Sequence, residues 1–223
     1  MIVLLHTSPV HVPVFDALRD RYHPGTELRH VVGAELLDRA VAEGPGAVAP
    51  RVAELIAEAA AAGAGSVLCT CSTLGAVAET AGAAHGLPVL RVDRPMAARA
   101  AREERIVVLA ALASTLEPTA ALIHEEAARA GRAAARVRTV LVDGAWELFA
   151  AGDRDGYLDR VAAAVTAVRD ADVIVLAQAS MADAADRATT AVPVLASPRT
   201  GLAAAVRAGT AGQTRVRARA RRA

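Results

Sequence analysis

Residues 66–75 read Ser-Val-Leu-Cys-Thr-Cys-Ser-Thr-Leu-Gly. A short apolar run stops at a cysteine, hydroxyl residues follow, and an alanine-rich stretch comes next, which is the pattern of a strand that turns into a helix. Cys71 therefore falls at the turn. There the unpaired backbone N–H groups and the positive end of the helix dipole favour negative charge, so a thiolate is expected to be stabilised and a carboxylate bound. Cys69, two residues earlier, alternates onto the face of Val67 and reads as strand core. A lone Cys-x-Cys without a second pair or nearby histidines lacks metal-ligand spacing, and residues this close do not bridge; neither a metal site nor a disulfide is expected.

Working outward, the chain repeats itself. Ser66 to Thr73 is echoed by Val173 to Ser180, and Leu87-Pro88-Val89-Leu90 by Val192-Pro193-Val194-Leu195. Ile2 to Leu5 and Ile106 to Leu109 open the two copies as apolar strands, followed by hydroxyl-bearing loops at His6-Thr7-Ser8-Pro9 and at Ala113 to Thr119. Val31 to Leu37 is matched by Leu141 to Leu148 in the same order. Alanine-rich helices, Arg51 to Ala62 and Tyr157 to Arg169, lie between, with apolar residues three and four apart. Strands alternating with helices predict an α/β fold: two pseudo-symmetric, Rossmann-like lobes, each a parallel sheet covered by helices on both faces. The expected division is 1–100 for the first lobe, completed by 200–214, then 101–199 for the second and a basic tail over 215–223. Ligands of such sheets bind at the carboxyl ends of the strands, so the cleft between the lobes is the expected site.

Composition narrows the chemistry. All 25 basic residues are arginine, and without lysine there is no Schiff-base chemistry, no pyridoxal attachment and no phosphate-loop lysine. A net charge of +1 over 223 residues leaves no nucleic-acid footprint outside the crowded Arg215, Arg217, Arg219, Arg221 and Arg222, read as a solvated tail. Aromatic residues at 2% provide no stacking platform for single strands. The opening apolar run breaks at His6 and no stretch approaches the ~20 apolar residues of a membrane span, so a cytoplasmic protein with free thiols is expected. Helices so rich in alanine are compatible with pairing into a homo-oligomer.

The loops supply Ser8, Ser72, Thr73, Ser114, Thr115 and Ser180 beside helix starts, donors suited to holding a small organic acid without lysine. Taken singly, each is as readily a helix cap. Here the chain resembles the aspartate/glutamate racemase superfamily, which includes hydantoin racemases, maleate isomerases and arylmalonate decarboxylases, and the resemblance covers nearly its whole length. In that family each of two lobes contributes a cysteine at a strand end, one removing and one returning a proton at the substrate's acidic carbon. Cys71-Ser72-Thr73 resembles the first cysteine motif, where cysteine, asparagine and threonine are common. The resemblance thus implies catalysis by Cys71, carboxylate binding by Ser72 and Thr73, and a hydroxyl grip from Ser114-Thr115. Thr7-Ser8 stands where amino-acid racemases place an aspartate and a serine, so an ammonium partner is missing at Thr7 and a non-amino acid substrate is implied.

Gln178 occupies the place of the second cysteine. An amide exchanges no proton with carbon, but its N–H can stabilise a carboxylate or enediolate oxygen; alternatively it ties loops together. His6 is a candidate for the second acid/base, with His11 beside it, and Asp93 and Glu117 are further ionisable groups; Arg94 is a candidate partner for a distal carboxylate. One thiol can shuttle a proton on one face, add to a double bond and allow cis/trans rotation, or protonate a carbanion left by decarboxylation. The expectation is therefore a cofactor-independent, isomerase-type enzyme acting on a small carboxylic acid, with decarboxylation as the alternative and a non-catalytic carboxylate-binding module as the third reading.

Overall fold

The apolar runs that open at Ile2, Ser66, Ile106 and Val173 become buried strands, and the alanine-rich segments become helices laid across them. The computed structural model describes residues 1–132 and 135–220. In chain order the elements are β1 (Ile2–His6), α1 (His11–Tyr22), β2 (Leu28–Val32), α2 (Ala34–Glu43), α3 (Ala49–Ala61), β3 (Ser66–Cys69), α4 (Gly75–His85) and β4 (Val89–Arg91). A second series follows: α5 (Arg94–Ala100), β5 (Arg105–Ala110), α6 (Leu116–Arg129), β6 (Arg136–Leu141), α7 (Ala145–Ala150), α8 (Arg154–Ala167), β7 (Val173–Leu176), β8 (Val194–Ala196) and α9 (Pro198–Ala220). The chain divides into two compact units, Met1–Val92 with Pro198–Ala223, and Asp93–Ser197. Helix α5 thus belongs to the second unit and α9 to the first. Residues 215–220 continue the backbone of α9, and the end of the tail, 221–223, lies outside the described residues.

Each unit holds a four-stranded parallel sheet, in the order β2-β1-β3-β4 in the first and β6-β5-β7-β8 in the second. The duplication extends to register. Leu5 pairs with Cys69 in one sheet as Leu109 pairs with Leu176 in the other. In the first unit Val3, Leu5, Val67 and Cys69 face Val52 and Ile56 of α3 and Ala78 of α4. The opposite face carries Ile2, Leu4 and Leu68 against Phe15 of α1 and Leu202 and Ala205 of α9. In the second unit Val107, Leu109, Ile174 and Leu176 pack on Tyr157, Val161 and Val165 of α8, while Val108 and Val175 pack on Leu122 and Ile123 of α6 and Met96 of α5. Burying both faces is why these strands read as unbroken apolar runs and not as alternating ones. Cys69 is wholly buried, as strand core should be.

The two copies part after their third strands. A 3-10 turn, Ser72–Leu74, leads from β3 into α4, whereas β7 is followed by an eight-residue 3-10 segment, Ala179–Asp186. No helix among the described residues is long and apolar enough to cross a membrane.

Candidate active site

The ends of β3 and β7 place Cys71 and Gln178 in equivalent positions. Each lies two residues beyond its strand, caps the 3-10 turn that follows, and has an extended backbone: φ −104°, ψ 116° at Cys71 and φ −112°, ψ 141° at Gln178. Neither turn start carries a side-chain cap, nor does that of α6, where Thr115 sits.

In the first unit, Cys71 is partly exposed and packs against the α3 side of the sheet. The hydroxyls of Thr7 and Thr73 and the N–H groups of Thr73 and Leu74 hydrogen-bond its sulfur. These donors stabilise a thiolate, but burial outweighs them and pushes the thiol up. The helix-start effect expected from sequence is thus present but outweighed, and the net shift is upward. The negative form loses more hydration in this packed loop than the short 3-10 turn returns through its N–H groups. At neutral pH the sulfur carries its proton. Ser72 and Thr73 are both 6% exposed, and Ser8 is partly exposed with its carbonyl accepting the His11 N–H.

Arg91 is a neighbour that sequence reading passed over. It is 4% exposed, and its Nη2 donates to the Ser72 carbonyl at 3.5 Å. A Cβ on Gly75 would lie 2.6 Å from Arg91 Nε, so glycine is what lets this buried cation lie against the turn. The sequence signal, a single arginine closing β4, looks like any surface charge.

His6 does not meet the role of a second acid/base. It is 0% exposed, Nδ1 lies 2.8 Å from Thr70 Oγ1, and Nε2 lies 2.8 Å from His30 Nδ1. Burial, with repulsion from His11 and His30, pulls its pKa from 6.5 to about 3. A base so reluctant to take a proton is a hydrogen-bonding element, held neutral in the core. The sign for stability follows: the unfolded chain binds this proton and the folded one does not. The contribution is therefore complete above pH 6.5 and is lost as pH falls from 6.5 towards about 3. Urea midpoints measured across that window should fall more steeply for the native chain than for His6→Asn.

In the second unit, Gln178 Oε1 accepts the N–H groups of Ala111 at 2.6 Å and Leu112 at 3.2 Å. The amide clamps the loop after β5 to the loop after β7, the counterpart of Thr7 on Cys71 in the first unit. Its oxygen is thereby committed, and N–H is what its amide has left to offer a ligand. Gln178→Leu leaves two backbone donors unsatisfied and should cost about 2–4 kcal/mol, read as a lower chemical denaturation midpoint with unchanged slope. Ser180 Oγ is 2.8 Å from the Tyr157 hydroxyl, and Tyr157, only 1% exposed, has its phenol pushed up to about 12 by burial. Sequence reading took Tyr157 only as the start of a helix. Thr115 is 3% exposed, and Ser114 Oγ is a buried hydroxyl with no hydrogen-bond partner among the described residues.

Of the remaining candidates, Asp93 is fully buried at the start of α5. Arg94 is engaged by Glu126 at 2.5 Å and Glu125 at 3.1 Å, which removes it as a ready partner for a substrate carboxylate. Among the described residues there is no cluster of three metal-ligating side chains.

A family model described as Asp/Glu/Hydantoin racemase matches residues 12–205. No curated protein sequence matches the chain. Solved structures with the same fold include glutamate racemase from Aquifex pyrophilus, at 14% identity and a TM-score of 0.62, covering 91% of this chain and 81% of that one. Allantoin racemase from Klebsiella pneumoniae is 19% identical with a TM-score of 0.60, over 95% and 88%. A variant of arylmalonate decarboxylase in its sulfate-associated form is 21% identical with a TM-score of 0.59, over 94% and 93%. These similarities span both units.

Proposed function

Because the chain belongs to the Asp/Glu/hydantoin racemase family, we propose that it is a cofactor-independent, isomerase-type enzyme that acts through the single thiol of Cys71 on a small carboxylic acid. The observation that supports this reading is the pairing of equivalents. A hydrogen-bonded thiol stands at the end of β3, and an amide with no exchangeable acid/base function stands at the end of β7. One thiol cannot take a proton from one face of a carbon and return it to the other. It can complete an addition and elimination. The thiolate forms an S–C bond to an activated double bond and the electron pair moves to the carboxylate-bearing carbon. Rotation follows about what is now a single bond, and elimination restores the double bond and expels the thiolate. In the first unit, the hydroxyl residues Ser72 and Thr73 beside the thiol bind the acid.

A specific observation favours a second reading, decarboxylation. Burial keeps Cys71 protonated at rest, the state needed to quench a carbanion. The C–C bond to a carboxylate breaks, carbon dioxide leaves, and the electron pair left on carbon takes the thiol proton, which solvent then replaces. The two readings carry opposite pH dependence. Addition needs thiolate, so its rate climbs with pH until the thiol is ionised; protonation needs thiol, so its rate falls over the same interval.

Proton NMR in deuterated buffer tests both, with aspartate, glutamate, maleate and substituted malonates followed over a range of pH. Maleate converted to its trans isomer with an alkaline-rising rate supports the first reading. Loss of a carboxyl group with an alkaline-falling rate establishes the second. Conversion of none, with saturable binding of these acids, overturns both in favour of a carboxylate-binding protein.

A further inference from the structure

In an extended strand successive backbone N–H groups point to opposite edges, so two in a row do not meet one partner. Just beyond the end of β5 they do. The N–H groups of Ala111 and Leu112 converge on a single atom, the Gln178 side-chain oxygen, at 2.6 and 3.2 Å. Two backbone donors aimed at one oxygen are the arrangement that receives an oxyanion. The occupant here is a neutral carboxamide, which has the planar shape of a carboxylate and less charge on its oxygen. All of these residues belong to the second unit.

The pair of donors is held in place without that occupant. The Ala110 carbonyl accepts the Val142 N–H at 2.8 Å, the Leu112 carbonyl accepts the Thr115 N–H at 3.0 Å, and the Leu109 carbonyl accepts the Ala177 N–H at 2.9 Å. The turn that carries Gln178 is likewise closed by its own backbone, the Met181 N–H donating to the Gln178 carbonyl at 3.0 Å. Ala177 and Ala179 on either side are buried, whereas Gln178 is partly exposed. The glutamine side chain can therefore rotate into solvent about its own single bonds and leave two fixed donors behind, with no strand or turn disturbed. A second observation in the same loop points to a ligand. Ser114 Oγ, two residues beyond Leu112, is buried and has no hydrogen-bond partner among the described residues. Buried hydroxyls are ordinarily paired, so this loop holds more donors than the unit supplies acceptors.

We propose that the N–H groups of Ala111 and Leu112 are a binding site for one carboxylate oxygen of a small acid, and that the Gln178 amide is a built-in competitor that fills it until the acid displaces it. The exchange replaces a neutral acceptor with a charged one, and hydrogen bonds to a charged acceptor are roughly twice as strong. Against this, Gln178 must first give up both contacts, so the apparent affinity is reduced by the fraction of chains in which the pair is vacant. Binding at this pair does not depend on Cys71.

The test is amide NMR of the full chain, labelled with nitrogen-15, near neutral pH. Sodium acetate is added to the native, Gln178→Ala and Gln178→Glu proteins, with sodium chloride as the control. Gln178→Ala removes the competitor. Its Ala111 and Leu112 resonances should move saturably with acetate, at a midpoint about tenfold below that of the native chain, the equivalent of one hydrogen bond no longer given up. Gln178→Glu tethers a carboxylate in place of the amide, so its Ala111 and Leu112 resonances should ignore added acetate. The proposal is overturned if the two resonances stay still in Gln178→Ala, if chloride moves them equally, or if the native chain and Gln178→Ala titrate alike. A Gln178→Glu protein whose two amides still follow acetate overturns it as well, and that result does not require Gln178→Ala to fold. A chain that takes acetate at these amides yet converts no acid loses the proposed activity and keeps this site. One that converts an acid while the two amides ignore both that acid and acetate keeps the activity and loses the site.

Discussion

Cys71→Ala is expected to lower turnover of the converted acid by about three orders of magnitude, while binding of the same acid changes little. General acid–base and nucleophilic groups contribute roughly 10²- to 10⁴-fold, and among the titratable groups placed at this loop the thiol is the one that can serve. Its neighbour His6 is buried and held neutral, and Gln178 has no proton to exchange with carbon. Cys71→Ser sharpens the expectation. Serine keeps the contacts with Thr7, Thr73 and Leu74 that surround the sulfur, so the loop stays ordered, but its hydroxyl is too weak an acid for either role. Both variants should therefore show the same collapse of kcat with an unchanged KM for a slow chemical step. Deuterated-buffer NMR measures the rate, and calorimetric titration of the acid measures the binding. A serine variant with a tenth or more of native turnover would remove Cys71 from the chemistry. Alkylation of the native thiol should be slow at pH 8 and still rising above it, because burial raises the thiol against its four hydrogen bonds.

Gly201→Ala should destabilise the first unit by about 3 kcal/mol, far beyond the helix preference that would otherwise favour alanine. A Cβ there would lie 2.5 Å from the Val92 carbonyl oxygen and 2.6 Å from Val92 Cγ2. The first of these atoms is backbone and cannot swing away. Val92 follows β4 and its N–H donates to the Cys69 carbonyl at 2.9 Å. Displacing Val92 thus strains the strand end on which Cys71 depends. Thermal unfolding should show a midpoint lower by several degrees, and the alkylation rate of Cys71 should change in the same variant. Ala205→Gly in the same helix tests the interpretation. It opens space instead of closing it, and should lower the midpoint while leaving Cys71 alkylation near native.

The α/β alternation, the duplication and the position of Cys71 were all readable from residues 66–75 and their echo at 173–180. Strands buried on both faces must be continuously apolar, and a strand that ends at a turn must change to residues that satisfy free N–H groups. Local pattern encodes such things because neighbours in sequence impose them. The family resemblance was legible for the same reason, carried by Cys71-Ser72-Thr73 and by the matching loops. What sequence could not settle was any property that depends on the environment of a group. The thiol of Cys71 was expected to ionise readily and is instead pushed up, because the cost of desolvation is set by chain segments far away in sequence. His6 looked like a free acid/base and is a core hydrogen-bonding residue, because His30 and Thr70 reach it from neighbouring strands. Arg91 and Tyr157 gave no sign in sequence of lying against Ser72 and Ser180. Sequence alone determined which elements form, in what order, and where their ends bring chemistry. Tertiary structure decided which of those groups are wet, paired or charged, since proton affinity answers to the total field and solvation at a point and not to the residues beside it in the chain.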